Sequence, residues 1–380
     1  MSLSKFPKDL IKETLSYLDP YKNFVSKIKI YHDCFMIEDV KIKISGKVHL
    51  FSVGKAASYE LLALKKYLTN RVEFGQLVSL TKENHTVSDG DILQLEGTHP
   101  LITEKNISHT KIFLEKIATI PPQDTLLFLL SGGASALLEL PLKGLNLEEL
   151  KEYHQDLLNS GKGINEINKE RKTLSQVKNG KLSNFIKTKN ILQLITCDIP
   201  NENLTDVGSG PLYPDSGEID YVTSIKTQCA TDLLNFLTKK YDGINEGSFD
   251  GSLEELIKKQ MENLPKKEER YFSGGEATFE VPKNAKKGGR NTHYVLCMAE
   301  KVYKDPKNHD LHIFSLGTDG TDGPTDAAGA YINYQMYKKL DATKFLNCYN
   351  SYEYFEKVGG LIKTGPTKTN VMDLRCIWRE

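Results

Sequence analysis

The chain has 380 residues, of which 39% are apolar, and its 50 lysines and arginines are balanced by 50 aspartates and glutamates. This balance argues against a protein that binds nucleic-acid duplexes, because such proteins carry a basic excess. At roughly 150 residues per domain, the length predicts two domains.

The cysteines and the start of the chain indicate the compartment. The six cysteines are dispersed without a Cys-x-x-Cys pair, which disfavours zinc and redox motifs and fits a reduced, intracellular setting. The first residues lack the apolar run of a signal peptide, and no stretch approaches the ~20 apolar residues of a membrane helix. We therefore expect a cytoplasmic protein that has no membrane partner.

Short apolar runs alternate with longer helical stretches along the chain. An amphipathic pattern predicts helix up to about residue 29, with one face formed by Leu10, Ile11, Leu15 and Leu18. Strands are predicted, in chain order, at residues 47–53, 76–80, 125–130, 191–196, near 271, 311–316 and 372–378, with a helix over 292–303. Strands that alternate with helices predict an α/β architecture with mostly parallel sheets.

A polar stretch at residues 241–270 separates two blocks of this pattern. It predicts an N-terminal α/β domain over residues 1–240 and a C-terminal α/β domain over residues 241–380, whose final segment is free to pack back on the first domain. In open α/β sheets, ligands bind beyond the carboxyl ends of the strands. The loops that follow the apolar runs are therefore the candidates for a functional site.

The first such loop contains Gly54 and Lys55. A lysine at a helix start is unfavourable for the helix dipole, and a bound anion would explain its presence there. The alternative is a solvated lysine after a turn. The spacing is not that of a P-loop.

Two further loops follow strands in the N-terminal half. Ser131, Gly132, Gly133 and Ser135 can expose backbone N–H groups as an anion nest, or they form a plain strand-to-helix turn. Asp198 follows the run at 191–196, where a carboxylate can take a proton or bind magnesium, or simply cap a turn.

Basic side chains also lie in longer polar segments. Residues 165–185 read as a helix that carries Glu166, Arg171, Lys172, Lys178 and Lys181, mostly as a solvated face, with Arg171 as a candidate ligand residue. Arg290 follows a glycine pair at a predicted helix start. Its guanidinium could clamp a carboxylate or phosphate, or lie on the surface.

The segment at 316–330 crowds Asp319, Asp322 and Asp326 into one glycine- and threonine-rich loop. Like charges this close need a compensating cation, and carboxylate oxygens suit magnesium. The alternative is a solvated turn with capping aspartates. Near the chain end, residues 363–374 predict a small-polar loop that suits contacts to a nucleotide or substrate, or equally a turn before the last strand.

In this order, the segments resemble the type II glycerate kinase family, whose C-terminal half is called the MOFRL domain. The matching runs span residues 51–374 and are FSVGKAAS, LLSGGASALL, NKERKTLSQVKNGKL, CDIPNENLTDVGSGP, SGGEATFEV, KKGGRNT, SLGTDGTDGPTDAAGA, NSYEYF and TGPTKTNVMDL. The resemblance implies two three-layer α/β/α domains with an interdomain cleft. It also implies ATP- and Mg²⁺-dependent phosphorylation of D-glycerate, usually at the 2-hydroxyl, with 3-phosphoglycerate as the other product considered.

The resemblance places three catalytic residues, with Lys55 on the transferring phosphoryl group, Asp198 on the accepting hydroxyl and Arg290 on the glycerate carboxylate. Asp319 and Asp322 would hold magnesium. The expected substrate and nucleotide contacts are Gly54, Ser131, Gly132, Gly133, Ser135, Arg171, Gly275, Glu276, Thr318, Thr364, Thr367 and Asn370.

Departures from the family pattern concern substrate geometry. They are Thr98 within the usual Gly-His-Pro, Thr292 and His293 after the arginine, and Lys368 and Met372 in the last motif. Two other functions stay open: a hydroxypyruvate reductase, and a non-catalytic regulator that binds a sugar acid or nucleotide. We expect a monomer or homodimer.

Overall fold

The computed structural model describes residues 4–162 and 164–380, which divide into two compact units. Residues 20–228 form the first unit, and residues 4–19 with 229–380 form the second unit. Within the described residues, no helix combines the length and the apolar character needed to cross a bilayer. All six cysteines lie in the described part and are free.

The first unit is built around a parallel sheet. Its strands are β1 (Ile28–Tyr31), β2 (Cys34–Ile37), β3 (Val40–Lys43), β4 (Val48–Gly54), β5 (Phe74–Lys82), β6 (Leu93–Gly97), β7 (Thr125–Leu130), β8 (Ile191–Thr196) and β9 (Val222–Gln228). Its helices are α2 (Pro20–Lys27), α3 (Ala57–Leu68), α4 (Glu104–Ile117), α5 (Ala134–Leu137), α6 (Leu147–Asn159) and α7 (Ile164–Thr173), with 3₁₀ turns at Lys181–Phe185 and Val207–Ser209.

The strand order of this sheet is β6-β5-β4-β7-β8-β9, and every neighbouring pair is parallel. The chain starts at β4, adds β5 and β6 on one side, and then adds β7 on the other. The loops after β4 and β7 therefore flank the point where the chain reverses direction across the sheet, which is where ligands bind in such folds. β4, β7 and β8 are buried throughout, which explains their uninterrupted apolar runs.

A separate antiparallel sheet of β1, β2 and β3 precedes the parallel sheet. Its four-residue strands give too little alternation of apolar and polar residues to be recognised from the sequence. It contributes Phe35, Ile37 and Ile42 to the core on one side of the parallel sheet.

The second unit contains a mixed sheet. Its strands are β10 (Ile244–Ser248), β11 (Arg270–Gly274), β12 (Leu311–Gly317), β13 (Gly329–Asn333), β14 (Leu361–Ile362) and β15 (Asp373–Arg379). Its helices are α1 (Lys5–Tyr17), α8 (Ala230–Tyr241), α9 (Leu253–Glu262), α10 (Arg290–Val302), α11 (Tyr334–Tyr337), α12 (Thr343–Leu346) and α13 (Ser351–Val358), with a 3₁₀ turn at Pro306–Asn308.

The order in the mixed sheet is β10-β11-β15-β12-β13-β14. Only β10 and β11 pair in parallel, and the other neighbours are antiparallel. The predicted α/β class is confirmed, and the predicted parallel arrangement is found in the first unit. The second sheet differs because a loop, rather than a crossover helix, leads from β12 to β13, so the chain returns in the opposite direction.

The compact units divide the chain differently from the predicted domains. The division lies at residues 228 and 229 rather than 240 and 241, because α8 packs on β10 and β11. The final strand, β15, lies inside the sheet of the second unit, between β11 and β12. The N-terminal helix α1 belongs to the second unit, although it precedes the first unit in the chain. Leu10 of α1, and Leu18 directly after α1, share a core with Leu233 and Leu237 of α8.

Candidate active site

The loops after β4 and β7 are joined by direct backbone and side-chain contacts. The backbone N–H of Lys55 donates to the carbonyl oxygen of Gly132 at 2.8 Å, and that of Ala56 donates to Oγ of Ser131 at 3.3 Å. Gly54 has φ +134°, and a Cβ atom there would lie 2.2 Å from Oγ of Ser131. The close approach of these two loops therefore requires glycine at position 54.

The glycine turn after β7, residues 131–135, also contacts the segment that follows β8. Oγ of Ser135 lies 2.8 Å from Oγ of Ser209, and a Cβ atom on Gly208 would lie 2.9 Å from Cβ of Ala134. On the other side, a Cβ atom on Gly133 would lie 3.0 Å from both Cγ of Lys55 and Cδ2 of His99. The turn is thus packed between three strand-end loops of the first unit.

Asp198 lies at the same edge of the sheet. It follows β8 and the buried Cys197, whose N–H donates to the carbonyl oxygen of Gln228 at 2.8 Å. β7 lies between β4 and β8, so the backbones that carry Lys55 and Asp198 are about 10 Å apart. Since the lysine side chain is long, a small ligand between these two strand ends can contact both Lys55 and Asp198.

A buried carboxyl group that the sequence did not single out lies behind these loops. Glu60 in the first turn of α3 is only 3% exposed, and Oγ1 of Thr196, the last residue of β8, donates to its carboxyl group at 2.5 Å. Burial raises the pKa of Glu60 from 4.5 to about 7, although this hydrogen bond opposes the rise. Glu60 therefore connects the helix after Lys55 to the strand before Asp198.

This carboxyl group predicts a pH-dependent stability. Between pH 4.5 and 7 the unfolded chain releases the proton that folded Glu60 keeps, so stability falls as the pH rises, by roughly 3 kcal/mol. The variant Glu60→Gln should therefore have a higher thermal midpoint than wild type at pH 8, with a smaller difference at pH 5. The exposed Glu115→Gln is the control. Equal pH dependence of Glu60→Gln and wild type would exclude this role.

The basic residues of the segment 165–185 have different interaction partners. The helix ends at Thr173, so Lys178 and Lys181 lie outside it. Nζ of Lys172 contacts Asp206 at 3.2 Å and Asp215 at 2.6 Å, and Lys178 pairs with the buried Glu139 at 2.5 Å. Lys181 donates to backbone carbonyl groups, including that of Ser175.

Arg171 differs from these residues. Its Nε atom is buried and has no hydrogen-bond partner among the described residues. It lines a cavity in the first unit together with Gly133 and Ser135 of the glycine turn. Arg171 thus lies beside the glycine turn. Lys172, Lys178 and Lys181 instead form ion pairs and hydrogen bonds within the fold.

In the second unit, Arg290 is held by two carboxylates. Its Nε and Nη2 atoms donate to Asp373 at 2.6 and 3.3 Å, and Nη1 donates to Glu276 at 3.1 Å. Burial lowers the pKa of Arg290, but the charges of Asp373 and Glu276 outweigh it and raise the pKa overall. The guanidinium charge is therefore already compensated, which does not fit the predicted clamp on a substrate carboxylate. Asp373, which was not among the predicted site residues, is the main partner.

The aspartates of the acidic loop, residues 316–330, have different hydrogen-bond and ion-pair partners. Asp322 is 1% exposed, and its two carboxylate oxygens accept the N–H groups of Asn291 at 2.7 Å and Thr292 at 2.8 Å. Asp319 accepts the N–H of Thr321 at 2.9 Å within its own turn. Asp326 pairs with Lys363 at 2.8 Å.

This arrangement does not fit a magnesium site built from Asp322. Its oxygens cap the N-terminus of α10, and the described residues contain no cluster of three or more His, Cys, Asp or Glu side chains suited to a metal ion. The alternative of capping aspartates describes Asp322 better. Asp319, on the exposed turn, stays a prediction as a magnesium contact.

The capping role of Asp322 predicts a loss of stability on substitution. Asp322→Ala leaves two buried N–H groups at the start of α10 unpaired, which should lower the free energy of unfolding by about 2 kcal/mol. The control is Asp326→Ala in the same loop, where the exposed ion pair should contribute much less. Thermal unfolding in EDTA measures both. Unchanged stability of Asp322→Ala, with activity lost, would instead favour a ligand role.

The remaining predicted residues of the second unit lie around the ends of β11 and β12. Oγ1 of Thr318 donates to the carbonyl oxygen of Met372 at 2.6 Å, and the hydroxyl group of Thr367 donates to the carbonyl oxygen of Thr318. Gly275 has φ +92°, and a Cβ atom there would lie 2.2 Å from the carbonyl oxygen of Phe249. Oδ1 of Asn370 accepts the N–H of Met372 at 3.3 Å.

Thr364 completes this group, since its hydroxyl donates to the carbonyl oxygen of Gly365 at 2.8 Å. A Cβ atom on Gly320 would lie 2.1 Å from the same carbonyl oxygen, so the acidic loop and the last loop are in contact. The predicted residues thus form two groups, one in each unit. Gly54, Lys55, the glycine turn, Arg171 and Asp198 belong to the first unit, and the rest belong to the second.

Two family models match successive parts of the chain. Residues 7–235 match a model described as a domain of unknown function, DUF4147, and residues 270–373 match the MOFRL family model. The glycerate 2-kinase of Pyrococcus horikoshii is 31% identical over 98% of this chain and 96% of its own length. The crystal structure of glycerate kinase from Thermotoga maritima is 28% identical, with a TM-score of 0.81 and 98% of both chains covered.

These matches define the class as α/β proteins in which a DUF4147 domain precedes a MOFRL domain. A relative from Agrobacterium vitis, 26% identical over 87% of this chain and 99% of its own length, carries the name hydroxypyruvate reductase. The chain belongs to the type II glycerate kinase family, as its motifs indicated.

Proposed function

We propose that this protein transfers the terminal phosphoryl group of ATP, supplied with Mg²⁺, to the 2-hydroxyl of D-glycerate. The observation that carries the proposal is the contact between the Lys55 loop and the glycine turn after β7, at the switch point of the parallel sheet. The relatives from Pyrococcus horikoshii and Thermotoga maritima, which are named glycerate kinases, support the choice of substrate. The six free cysteines support a cytoplasmic location.

Lys55 and the glycine turn supply what phosphoryl transfer needs most, which is positioning and charge neutralisation. The ammonium group of Lys55 would stabilise negative charge on the transferring group. Exposed backbone N–H groups of the turn at residues 131–135 would bind phosphate oxygens. ATP brings its magnesium ion as part of the substrate.

Asp198 is the proposed partner of the accepting hydroxyl group. A carboxylate at this strand end can orient the hydroxyl and accept its proton as the bond to phosphorus forms. In the second unit, Arg290 is proposed to act together with Asp373 and Glu276 as one network, rather than as an isolated cation.

The reductase alternative lacks a dinucleotide site at the corresponding place. The parallel sheet has the strand order of dinucleotide-binding folds, with β4 as its first strand. The turn after β4 reads Gly54-Lys55-Ala56-Ala57 and lacks the Gly-x-Gly-x-x-Gly pattern that binds the pyrophosphate.

Two assays on one preparation separate these functions. We expect ADP release that depends on D-glycerate, and no oxidation of NADH in the presence of hydroxypyruvate. The opposite pattern would establish the reductase. ATP binding without transfer to any hydroxy acid would favour the non-catalytic regulator.

A further inference from the structure

The first unit contains a cavity of about 620 Å³ whose charged lining is entirely basic. Its lining includes Arg171 of α7, His154 and Lys151 of α6, Lys178, and His99 from the loop after β6, and no acidic residue is among the described residues that line it. Gly133 and Ser135 of the glycine turn form part of the same wall. The cavity therefore adjoins the turn that is proposed to bind phosphate oxygens.

The positive charge of this cavity is only partly compensated. Glu139 neutralises Lys178, and Glu148 pairs with Lys151 at 2.9 Å. Burial lowers the pKa of Arg171, and no carboxylate among the described residues opposes the effect. The Nε atom of Arg171 is buried without a hydrogen-bond partner among the described residues, and a bound anion would supply one.

Burial is the main cause of a lowered pKa in two histidines that line the cavity. Burial, followed by the charges of Lys178 and Arg171, lowers the pKa of His154 to about 4, with Glu139 opposing. Burial, followed by the charge of Lys55 and more distant basic groups, lowers the pKa of His99 to about 4. The Nε2 atom of His154 is buried without a hydrogen-bond partner among the described residues, as is Nε of Arg171. Two polar groups are thus left unsatisfied at the same cavity.

We propose that this cavity, defined by His99, His154 and Arg171, binds the carboxylate of the hydroxy-acid substrate, an inference that rests on the proposed phosphorylation of glycerate. In a three-carbon acid the carboxylate lies one carbon from the hydroxyl that accepts the phosphoryl group, so its site has to adjoin the phosphate-binding turn. The cavity meets that condition through Gly133 and Ser135. Arg290 is the weaker candidate, because Asp373 and Glu276 already neutralise it.

The variant Arg171→Gln tests this assignment, with Lys169→Gln, an exposed position on the same helix, as the matched control. We expect KM for D-glycerate to rise roughly 30-fold in Arg171→Gln and KM for ATP to stay within about 2-fold, since a charged hydrogen bond is lost only to the acid. Any slow phosphorylation of glycerol, which lacks the carboxylate, should be unchanged. His154→Gln should give the same pattern with a smaller effect.

The thermal midpoint distinguishes a ligand-binding role of Arg171 from a structural role, because the two roles predict opposite changes on substitution. Without ligand, Arg171→Gln should have a thermal midpoint equal to or above that of wild type, because a half-buried charge whose Nε atom lacks a hydrogen-bond partner among the described residues is removed. D-glycerate should raise the midpoint of wild type and of Lys169→Gln but not of Arg171→Gln. A lower midpoint of Arg171→Gln, with unchanged KM for D-glycerate, would assign the residue to the fold and overturn the site.

Calorimetric titration with D-glycerate alone separates this proposal from the proposed function. If the wild type binds D-glycerate through Arg171 but never transfers phosphate to it, the site stands and the kinase function fails. If Arg171→Gln binds D-glycerate as well as wild type does, the site is overturned whatever the activity. A rise in KM for ATP with KM for D-glycerate unchanged would assign the cavity to nucleotide phosphates and overturn the carboxylate assignment.

Discussion

Replacing Lys55 with alanine is expected to lower kcat by about 10³-fold while the fold stays intact. The backbone of Lys55 is fixed by its hydrogen bond to Gly132, which the substitution keeps, so the change removes only the ammonium group and its stem. A cation that neutralises charge in the transition state contributes to kcat more than to KM. Steady-state kinetics with D-glycerate and Mg·ATP measure the loss.

The control for this variant is Lys66→Ala, which removes an exposed lysine from α3, the helix that follows Lys55. It should retain the activity of wild type. Lys55→Arg should recover part of the activity, because it restores the charge with a different shape. Near-normal kcat in Lys55→Ala, with an unchanged thermal midpoint, would remove Lys55 from the mechanism.

Asp198→Asn is expected to lower kcat by about 10²- to 10⁴-fold, the range seen when a general base is lost. Asparagine keeps the size of the side chain but cannot accept the hydroxyl proton. KM for ATP should change little.

An exposed aspartate provides the matched comparison for Asp198. Asp220→Asn, located just before β9 in the same unit, makes the same chemical change outside the strand-end loops and should keep the kcat of wild type. If Asp198→Asn also kept the kcat of wild type, another group would have to accept the proton.

The parallel sheet and its loops could be predicted from the sequence because their signals are local. The uninterrupted apolar runs at residues 125–130 and 191–196 coincide with β7 and β8 as the structure has them. The glycine turn and Asp198 then follow from the rule that ligands bind beyond the ends of such strands. These features depend on residues that are neighbours in the chain.

The partners of the charged residues could not be predicted, because they depend on pairings across long stretches of chain. Arg290 meets Asp373 only because the antiparallel β15 inserts between β11 and β12. Asp322 caps α10 from a loop about thirty residues further along the chain, and in sequence it is indistinguishable from its neighbours Asp319 and Asp326.

Glu60 and the Nε2 atom of His154 show the same limit for buried polar groups. Each lies on an amphipathic helix, where a single ionisable residue normally faces solvent. Their burial becomes apparent only when β8 and the cavity beside α7 are in place. The rule that ligands bind beyond strand ends also applies to His99, since it follows β6. A histidine next to a proline, however, has no distinctive spacing that would single it out.

Phosphorus NMR of the product formed from D-glycerate and Mg·ATP tests the proposed reaction most directly. The strand-end lysine and glycine turn, with the identity of the relatives, predict one new phosphomonoester signal that matches 2-phosphoglycerate, together with ADP in equal amount. A spectrum in which ATP is unchanged after prolonged incubation would contradict phosphoryl transfer to glycerate, and a signal of 3-phosphoglycerate would contradict the proposed hydroxyl.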